Sequence, residues 1–343
     1  MHLAGQTEAD LAAWAISRGA PPGGARVLAR ALVAGLAGRP VRDPPARGLF
    51  AEAQGRFETA LPAAEVARDA DGTVRFAVRL RDGNVVEAVA IHQAASRLRA
   101  RERWTVCLSS QVGCARGCVF CETGRLGLLR NLDASEIVAQ YAVVARHLGF
   151  AARNVVFMGM GEPLDNLEAV LRAVAVLREP GGFAVPERRI TVSTVGIVPR
   201  MDELFARSRV NVAVSLHAVD PAARLALLPV ARRWSLDELR AAIGRAPRTV
   251  LLQWTLIQGV NDSDREADAL AAFARGLDVR VNLIPLNPGP DPRQVAPSFD
   301  RCRAFQRRLA GSGVRTLLRL PHGQSVGGAC GQLAGSLRAR AQG

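Results

Sequence analysis

From about Trp104 onward the chain alternates short apolar runs with stretches of helical periodicity, and this alternation limits the fold more than any other feature. The apolar runs fall at 104–109, 154–159, 189–194, 211–216, 249–257, 279–284 and 314–320. Helical spacing fills the intervals at 134–148, 167–178, 200–207, 235–245, 263–275 and 298–310. Asp133, Ser235 and Ser263 stand where N-caps belong, because a short side-chain oxygen there accepts an orphan N–H of the first turn. Repeated strand–helix alternation means an α/β fold with a parallel sheet and helices outside it. Nearly continuous apolar strands are the kind buried on both faces. Polar motifs recur at the C-terminal end of nearly every strand, the end where a barrel collects its functional residues. This points to a closed or partial (β/α) barrel, of (β/α)6 type, rather than an open doubly wound sheet.

Ahead of that core, Thr73–Arg81 alternates apolar and polar residues and is followed by the turn Asp82-Gly83-Asn84 and the apolar strand Val85–Ile91. That pattern reads as a β-hairpin. Weak helical patterns at Leu11–Arg18 and Arg26–Leu36 are punctuated by PPGG at 21–24 and RDPPARG at 42–48. The expected organisation is a small N-terminal helical accessory domain over 1–70, a β-hairpin extension over 71–103, the barrel core over 104–335 and a tail over 336–343.

A hydrophobic fraction of 49% excludes global disorder. No apolar run approaches the ~20 residues of a membrane helix, so no membrane partner is expected. The N-terminus MHLAGQTEADLAAWA carries early acids and no apolar leader, which predicts a cytoplasmic protein. Net charge is +14, and all 45 basic residues are arginine. The choice of arginine over lysine fits a GC-rich coding bias. The net excess of positive charge fits a nucleic-acid partner.

Of six cysteines, Cys114, Cys118 and Cys121 lie within eight residues, directly after the first core strand. A C-x3-C-x2-C loop gathers three thiolates around one inorganic centre and leaves it one open position. An iron–sulfur cluster of the 4Fe–4S type with three protein thiolates has a free iron for a ligand. Structural zinc closes its shell with four ligands, so a zinc knuckle would need a distant fourth donor.

This spacing is the signature of the radical S-adenosylmethionine superfamily. Cys107-Leu-Ser-Ser-Gln-Val-Gly-Cys114 and Cys121-Glu-Thr-Gly124 narrow the resemblance to the RlmN/Cfr family of RNA adenine methyltransferases. So do Met158-Gly-Met-Gly-Glu-Pro-Leu164, Ser193-Thr-Val-Gly-Ile-Val-Pro199, Val214-Ser-Leu-His-Ala218, Gly259-Val-Asn-Asp262, Asn282-Leu-Ile-Pro-Leu-Asn-Pro288 and Ala329-Cys330-Gly-Gln-Leu333. They run in family order from about residue 73 to the C-terminus, about four fifths of the chain.

The resemblance implies a radical S-adenosylmethionine barrel, with a 4Fe–4S cluster on Cys114, Cys118 and Cys121 and two S-adenosylmethionine molecules per turnover. It implies methylation of an adenosine of 23S ribosomal RNA, and by extension transfer RNA, at carbon 2 in preference to carbon 8. Cys330 would be methylated first and give up a hydrogen atom from its S-methyl group. The resulting carbon radical would then add to adenine, and Cys107 would close a transient disulfide that frees the product. Taken without the resemblance, Cys107 and Cys330 read equally as two core thiols. Glu87 matches the proton acceptor of the family, although a glutamate there also suits the solvent face of a hairpin. Gly161, Glu162, Ser193, Ser215, Leu216, His217 and Asn287 match cofactor-binding positions at strand ends. Gly161 would let a ligand approach the backbone, and Glu162 would bond the cofactor's ammonium. His217 could otherwise be a hydrogen-bonded core histidine. An electron donor such as flavodoxin or ferredoxin and a monomeric state complete the expectation, with Cys302 a spare thiol.

The arginine-rich pieces 97–103, 188–189, 231–233 and 301–308 are candidates for an RNA-facing rim, or else solvated helix faces. The stretch Pro321–Gly328, ahead of Cys330, lacks the charge pattern of better-known members. Two other classes remain compatible with the residues: a radical enzyme of the same machinery acting on a non-RNA substrate, and a non-catalytic iron–sulfur or zinc protein that binds RNA.

Overall fold

The computed structural model describes residues 1–41, 43–95 and 101–333. Part of the basic piece 97–103 and the tail 336–343 therefore lie outside the described residues. The chain opens with α1 (Glu8–Ser17), α2 (Pro22–Leu36) and α3 (Arg47–Arg56). Thr7 and Asp10 form a capping box at the start of α1, and α2 begins on a proline, whose missing N–H is no loss in a first turn. Three antiparallel strands follow: β1 (Ala64–Arg68), β2 (Val74–Arg79) and β3 (Val85–Gln93). The hairpin expected over 71–103 is β2 and β3, and β1 adds a third antiparallel strand from within residues 1–70. β1 has a largely exposed, mixed sequence with no apolar alternation to announce it.

The core begins with β4 (Arg103–Cys107), then β5 (Gln111–Gly113), α4 (Glu122–Arg125) and β6 (Leu128–Asn131) around the cysteine loop. Regular alternation follows: α5 (Ala134–Leu148), β7 (Asn154–Phe157), α6 (Leu167–Arg178), β8 (Ile190–Thr194), α7 (Val198–Arg207) and β9 (Asn211–Ser215). It continues with α8 (Pro221–Leu227), α9 (Leu236–Gly244), β10 (Val250–Leu256), α10 (Asp264–Ala274), β11 (Val279–Pro285), α11 (Phe299–Gly311) and β12 (Thr316–Leu318).

One ten-stranded sheet runs β1-β2-β3-β4-β7-β8-β9-β10-β11-β12. Its last seven strands are parallel, and β1 and β12 are free edges, so the barrel is partial as expected. Val155, Val192, Val214, Leu252 and Val281 are fully buried on the sheet face away from the cavity, where Trp254 of β10 packs on Phe305 of α11. The same apolar core takes in Leu11, Leu28 and Leu32 of the N-terminal helices. Arg172 of α6 pairs with Asp10, and Arg39 donates to Gly182 O at 2.7 Å, tying those helices to the barrel wall. Among the described residues no helix is long and apolar enough to cross a membrane.

Candidate active site

The cysteine loop is closed at its base by the antiparallel pair of β5 and β6. Gly113 and Gly127 both adopt positive φ, and Gly127 O accepts the Cys114 N–H at 2.8 Å. Cys118 O accepts the Cys121 N–H at 3.1 Å, which curls the last two thiols together. Arg116 clamps Asp165 with two donors, and Val119 N–H donates to Leu227 O at 3.2 Å, so the loop is held from β7's side and from α8. Burial pushes the Cys114 thiol up to about 12, and raises Cys118 well above and Cys121 above the usual thiol range. Each of Cys118's two partners adds to that rise, so the three sulfurs share one field.

Beyond the loop lies a cavity at the C-terminal ends of the parallel strands. Gly161, Glu162, Ser193, Ser215, His217 and Asn287 line it, and Cys118 and Cys121 form its wall. Leu216 is the exception: its side chain is fully buried in the core and its N–H donates to Gln253 O. Glu162 is almost completely buried, and its two carboxylate oxygens accept the Leu164 and Val195 N–H groups at 3.0 and 2.9 Å. Burial pushes its carboxyl up to about 7, against the pull of those N–H donors. Gly161 sits at φ +97°, where a Cβ would lie 2.5 Å from Gln111 Cβ, and Gln111 Oε1 accepts the Glu162 N–H. His217 is another positive-φ residue, and its Nδ1 accepts the Thr255 N–H at 2.9 Å. That bond fixes the proton on Nε2. Burial, with Arg224 nearby, pushes its imidazole down to about 3, so the ring is neutral.

Cys107 ends β4 and Cys330 lies in the C-terminal segment, yet both open into one small cavity with Met158 and Asn287. Cys330 also borders the larger cavity, so it stands between the cysteine loop and Cys107. Both are free thiols, Cys330 exposed and Cys107 buried. Burial pushes Cys107 up to about 12, with a further rise from Cys330. The Cys330 segment is tied down by Asn287 Nδ2 donating to Cys330 O at 3.0 Å and by Glu122 N–H donating to Gly331 O at 2.8 Å. Glu87 is fully buried and ion-paired with Arg75. It is therefore not on a solvent face. Val89 pairs directly with Cys107, and side chains two residues apart share a sheet face, so Glu87 lies on the face that carries Cys107.

Residues 108–272 match the Radical SAM superfamily. A probable RNA methyltransferase of Sorangium cellulosum is 49% identical over 289 residues, covering 81% of this chain and 71% of that protein. A dual-specificity RNA methyltransferase RlmN of Syntrophobacter fumaroxidans is 45% identical, covering 77% of each. The crystal structure of a radical SAM methyltransferase from Sphaerobacter thermophilus superposes with a TM-score of 0.87 at 38% identity, over 97% of this chain and 99% of that one. The chain belongs to the RlmN family of radical SAM RNA methyltransferases.

An RlmN-type enzyme carries a 4Fe–4S cluster and uses two S-adenosylmethionine molecules per turnover, and the residues present fit both. Three buried thiols that resist ionisation suit a centre whose positive charge drives off their protons. Among the described residues no three His, Cys, Asp or Glu side chains close up on a single ion. A cube with one thiolate per iron uses donors set wider apart. The cavity next to it offers a carboxylate, hydroxyls, a neutral imidazole donor and an apolar wall for the second group.

Sequence reasoning missed several supports of this RlmN site. Asn261 is buried and donates to His217 O and Thr255 O while its side-chain oxygen accepts the Ile257 N–H. Gln111 braces Glu162, and Arg224 donates to Val195 O at 2.9 Å. The basic pieces separate by position. Arg188 and Arg189 precede β8, at the end of the sheet away from the cavity, and Arg301 and Arg308 are neutralised by Asp264 and Asp268. Arg232 and Arg233 follow α8, the helix bonded to the cysteine loop. Cys302 is buried in α11, well apart from the site.

Proposed function

We propose that this enzyme methylates an adenosine of 23S ribosomal RNA, and also transfer RNA, at carbon 2 rather than carbon 8, through an S-methylated Cys330. The observation that carries the reading is the placement of Cys330, which borders both the cavity beside the cysteine loop and the cavity of Cys107. Cys114, Cys118 and Cys121 hold the cluster. Gly161, Glu162, Ser193, Ser215, Leu216, His217 and Asn287 hold S-adenosylmethionine, Leu216 through its backbone. When bound, these groups supply methyl donation and a 5′-deoxyadenosyl radical.

Cys330 accepts the methyl group and presents it to the cavity. Glu87, on the sheet face that carries Cys107, takes the proton from the methylated adenine carbon. The Cys107 thiol then bonds the Cys330 sulfur as that sulfur's bond to the transferred carbon breaks, and the Cys107 proton completes the product's methyl group. Until then burial keeps the thiol protonated. Transient disulfides of this kind are compatible with a reducing cytoplasm, where we place the protein. Arg232 and Arg233 belong to the RNA-facing rim, which receives a base swung out of its stack. Flavodoxin or ferredoxin serves as electron donor, and the enzyme works as a monomer. Residues 1–70, 71–103 and 104–335 serve as accessory domain, extension and catalytic core.

The test is anaerobic turnover with methyl-deuterated S-adenosylmethionine, a reductant and undermodified ribosomal and transfer RNA, read by mass spectrometry of digested nucleosides. The expected product is 2-methyladenosine carrying two deuteriums. A trideuterated product would mean direct polar transfer and overturn the role of Cys330. Abundant 5′-deoxyadenosine with no labelled nucleoside would point to a non-RNA substrate.

A further inference from the structure

The turn between β1 and β2 reaches the segment that leads to Cys330, although the two are about 250 residues apart in sequence. Asp69 and Asp71 each divide their carboxylate oxygens between two tasks. Asp69 Oδ1 accepts the Asp71 N–H at 3.1 Å and Asp71 Oδ1 accepts the Thr73 N–H at 2.8 Å, which shapes the turn. The Oδ2 atoms face outward. Asp69 Oδ2 accepts the Ser325 N–H at 2.9 Å and its hydroxyl at 2.7 Å. Asp71 Oδ2 accepts the Gly323 N–H at 3.1 Å and stands 3.0 Å from His322 Nδ1. Gly323 has φ +71°, and a Cβ there would lie 2.8 Å from Thr73 Cγ2, so backbone and turn are in close contact. Gln324 next to it donates to Asn287 Oδ1 at 2.8 Å, and Asn287 in turn donates to Cys330 O.

We propose that Asp69 and Asp71 are positioning residues for Cys330: their turn clasps residues 322–325 and holds the thiol in the cavity it shares with Cys107. The proposal rests on the reading of Cys330 and Cys107 as working partners. The segment is rich in glycine and its internal contacts are short-range, Gly328 N–H to Gly323 O and Gly327 N–H to Gln324 O, so its order comes from ties such as the aspartate turn and Asn287. Its charge-poor sequence is matched by carboxylates contributed from the extension, and hydrogen bonds to ionised acceptors are about twice as strong as neutral ones. The antiparallel extension thus has a task at the site in addition to carrying Glu87.

The experiment compares cluster-loaded wild-type enzyme with the double variant Asp69→Asn/Asp71→Asn and with Asp82→Asn, an aspartate of the other turn that bonds Arg130 and Asn84 instead. Two quantities are read anaerobically. One is the rate of Cys330 alkylation, followed on the tryptic peptide 320–338, whose only cysteine is Cys330. The other is the equilibrium constant of the Cys107–Cys330 disulfide in glutathione buffers. The clasp variant should alkylate roughly tenfold faster and form the disulfide roughly tenfold less favourably, a shift of about 30 mV for this two-electron couple. Asp82→Asn should match wild type. Unchanged values in the clasp variant would overturn the proposal, as would faster alkylation with an unchanged disulfide constant. If the double variant fails to fold, Ser325→Ala and His322→Ala carry the same test from the other side, and unchanged values there overturn it equally. Alkylation reports the segment whether or not Cys330 accepts a methyl group, so the clasp and the methyl-carrier reading fail separately.

Discussion

Gly113→Ala is the sharpest test of how the cysteine loop is built. Gly113 has φ +77°, and a Cβ on it would lie 1.9 Å from Gly127 O. That oxygen accepts the Cys114 N–H. No flexible side chain can give way, because both partners are backbone. A left-handed alanine costs about 1–2 kcal/mol. Forced repacking adds about 1–3 kcal/mol, and the lost Cys114 hydrogen bond about 1 kcal/mol. The sum, about 3–6 kcal/mol, is a large part of the ~5–15 kcal/mol that holds a typical domain together. Gly127→Ala is the matched control: its φ is +68° but nothing lies within 4 Å of the added Cβ, so only the backbone cost of about 1–2 kcal/mol applies. Thermal unfolding of both apo variants should show Gly113→Ala the less stable, at roughly 2–4 °C per kcal/mol. Iron content after anaerobic reconstitution should fall in Gly113→Ala, because Cys114 is displaced, and stay at the wild-type level in Gly127→Ala. Equal melting temperatures and equal iron content would refute the steric argument.

Glu162→Gln should change the pH profile of the apo protein. The folded carboxyl sits near 7 and its ordinary value is 4.5, so between those pH values the folded chain keeps a proton that the unfolded chain has released. Stability from this group therefore falls as pH rises through that window, by on the order of 3 kcal/mol. Urea unfolding at pH 5 and pH 7.5 should show the wild type losing more stability than Glu162→Gln, and parallel losses would refute the assignment. Arg224 is a buried cation with no acidic ion-pair partner among the described residues, and its Nε lacks a hydrogen-bond partner there. Arg224→Met should raise the apo melting temperature, because a buried unpaired charge is replaced by an apolar chain of similar length; a fall would show that the bond to Val195 O outweighs burial. Asn287→Ala leaves Cys330 O and Gln324 without their partner, so 5′-deoxyadenosine should accumulate in excess over methylated nucleoside, and unchanged coupling would refute a positioning role.

The elements legible in the sequence were those with both a period and a stop. Helix α5 spans 134–148 as expected because a capping box of Asp133 and Glu136 opens it and Gly149 in the left-handed region closes it. All seven parallel strands were legible from their apolar runs. β1 was not, since an exposed edge strand needs no alternation, and α8, at seven residues, is too short to show a helical period. The gathering of Cys114, Cys118 and Cys121 into one loop was legible because local spacing sets it. The burial of Glu87 was not, because its charge is matched by Arg75 on the neighbouring strand, and strand pairing is not written in either segment alone.

The contacts that convert these motifs into a site share one property: they join distant segments through single polar side chains. Asn287 illustrates the point. Its position at the end of β11 suggested a ligand for the cofactor, and it does line that cavity, but both ends of its amide are engaged by the Cys330 segment. A residue so placed joins the cavity wall to the segment that carries Cys330. Cys330 is therefore held by neighbours from three parts of the chain: the cysteine loop through Glu122 and Thr123, the end of β11 through Asn287, and the extension through Asp69 and Asp71. An exposed thiol on a glycine-rich segment would otherwise sample many positions, and each of these ties reduces the entropy lost when it must meet a particular carbon or sulfur. The partial barrel leaves its β4 side open for the extension to pair there, and that pairing is what delivers the aspartate turn to the site.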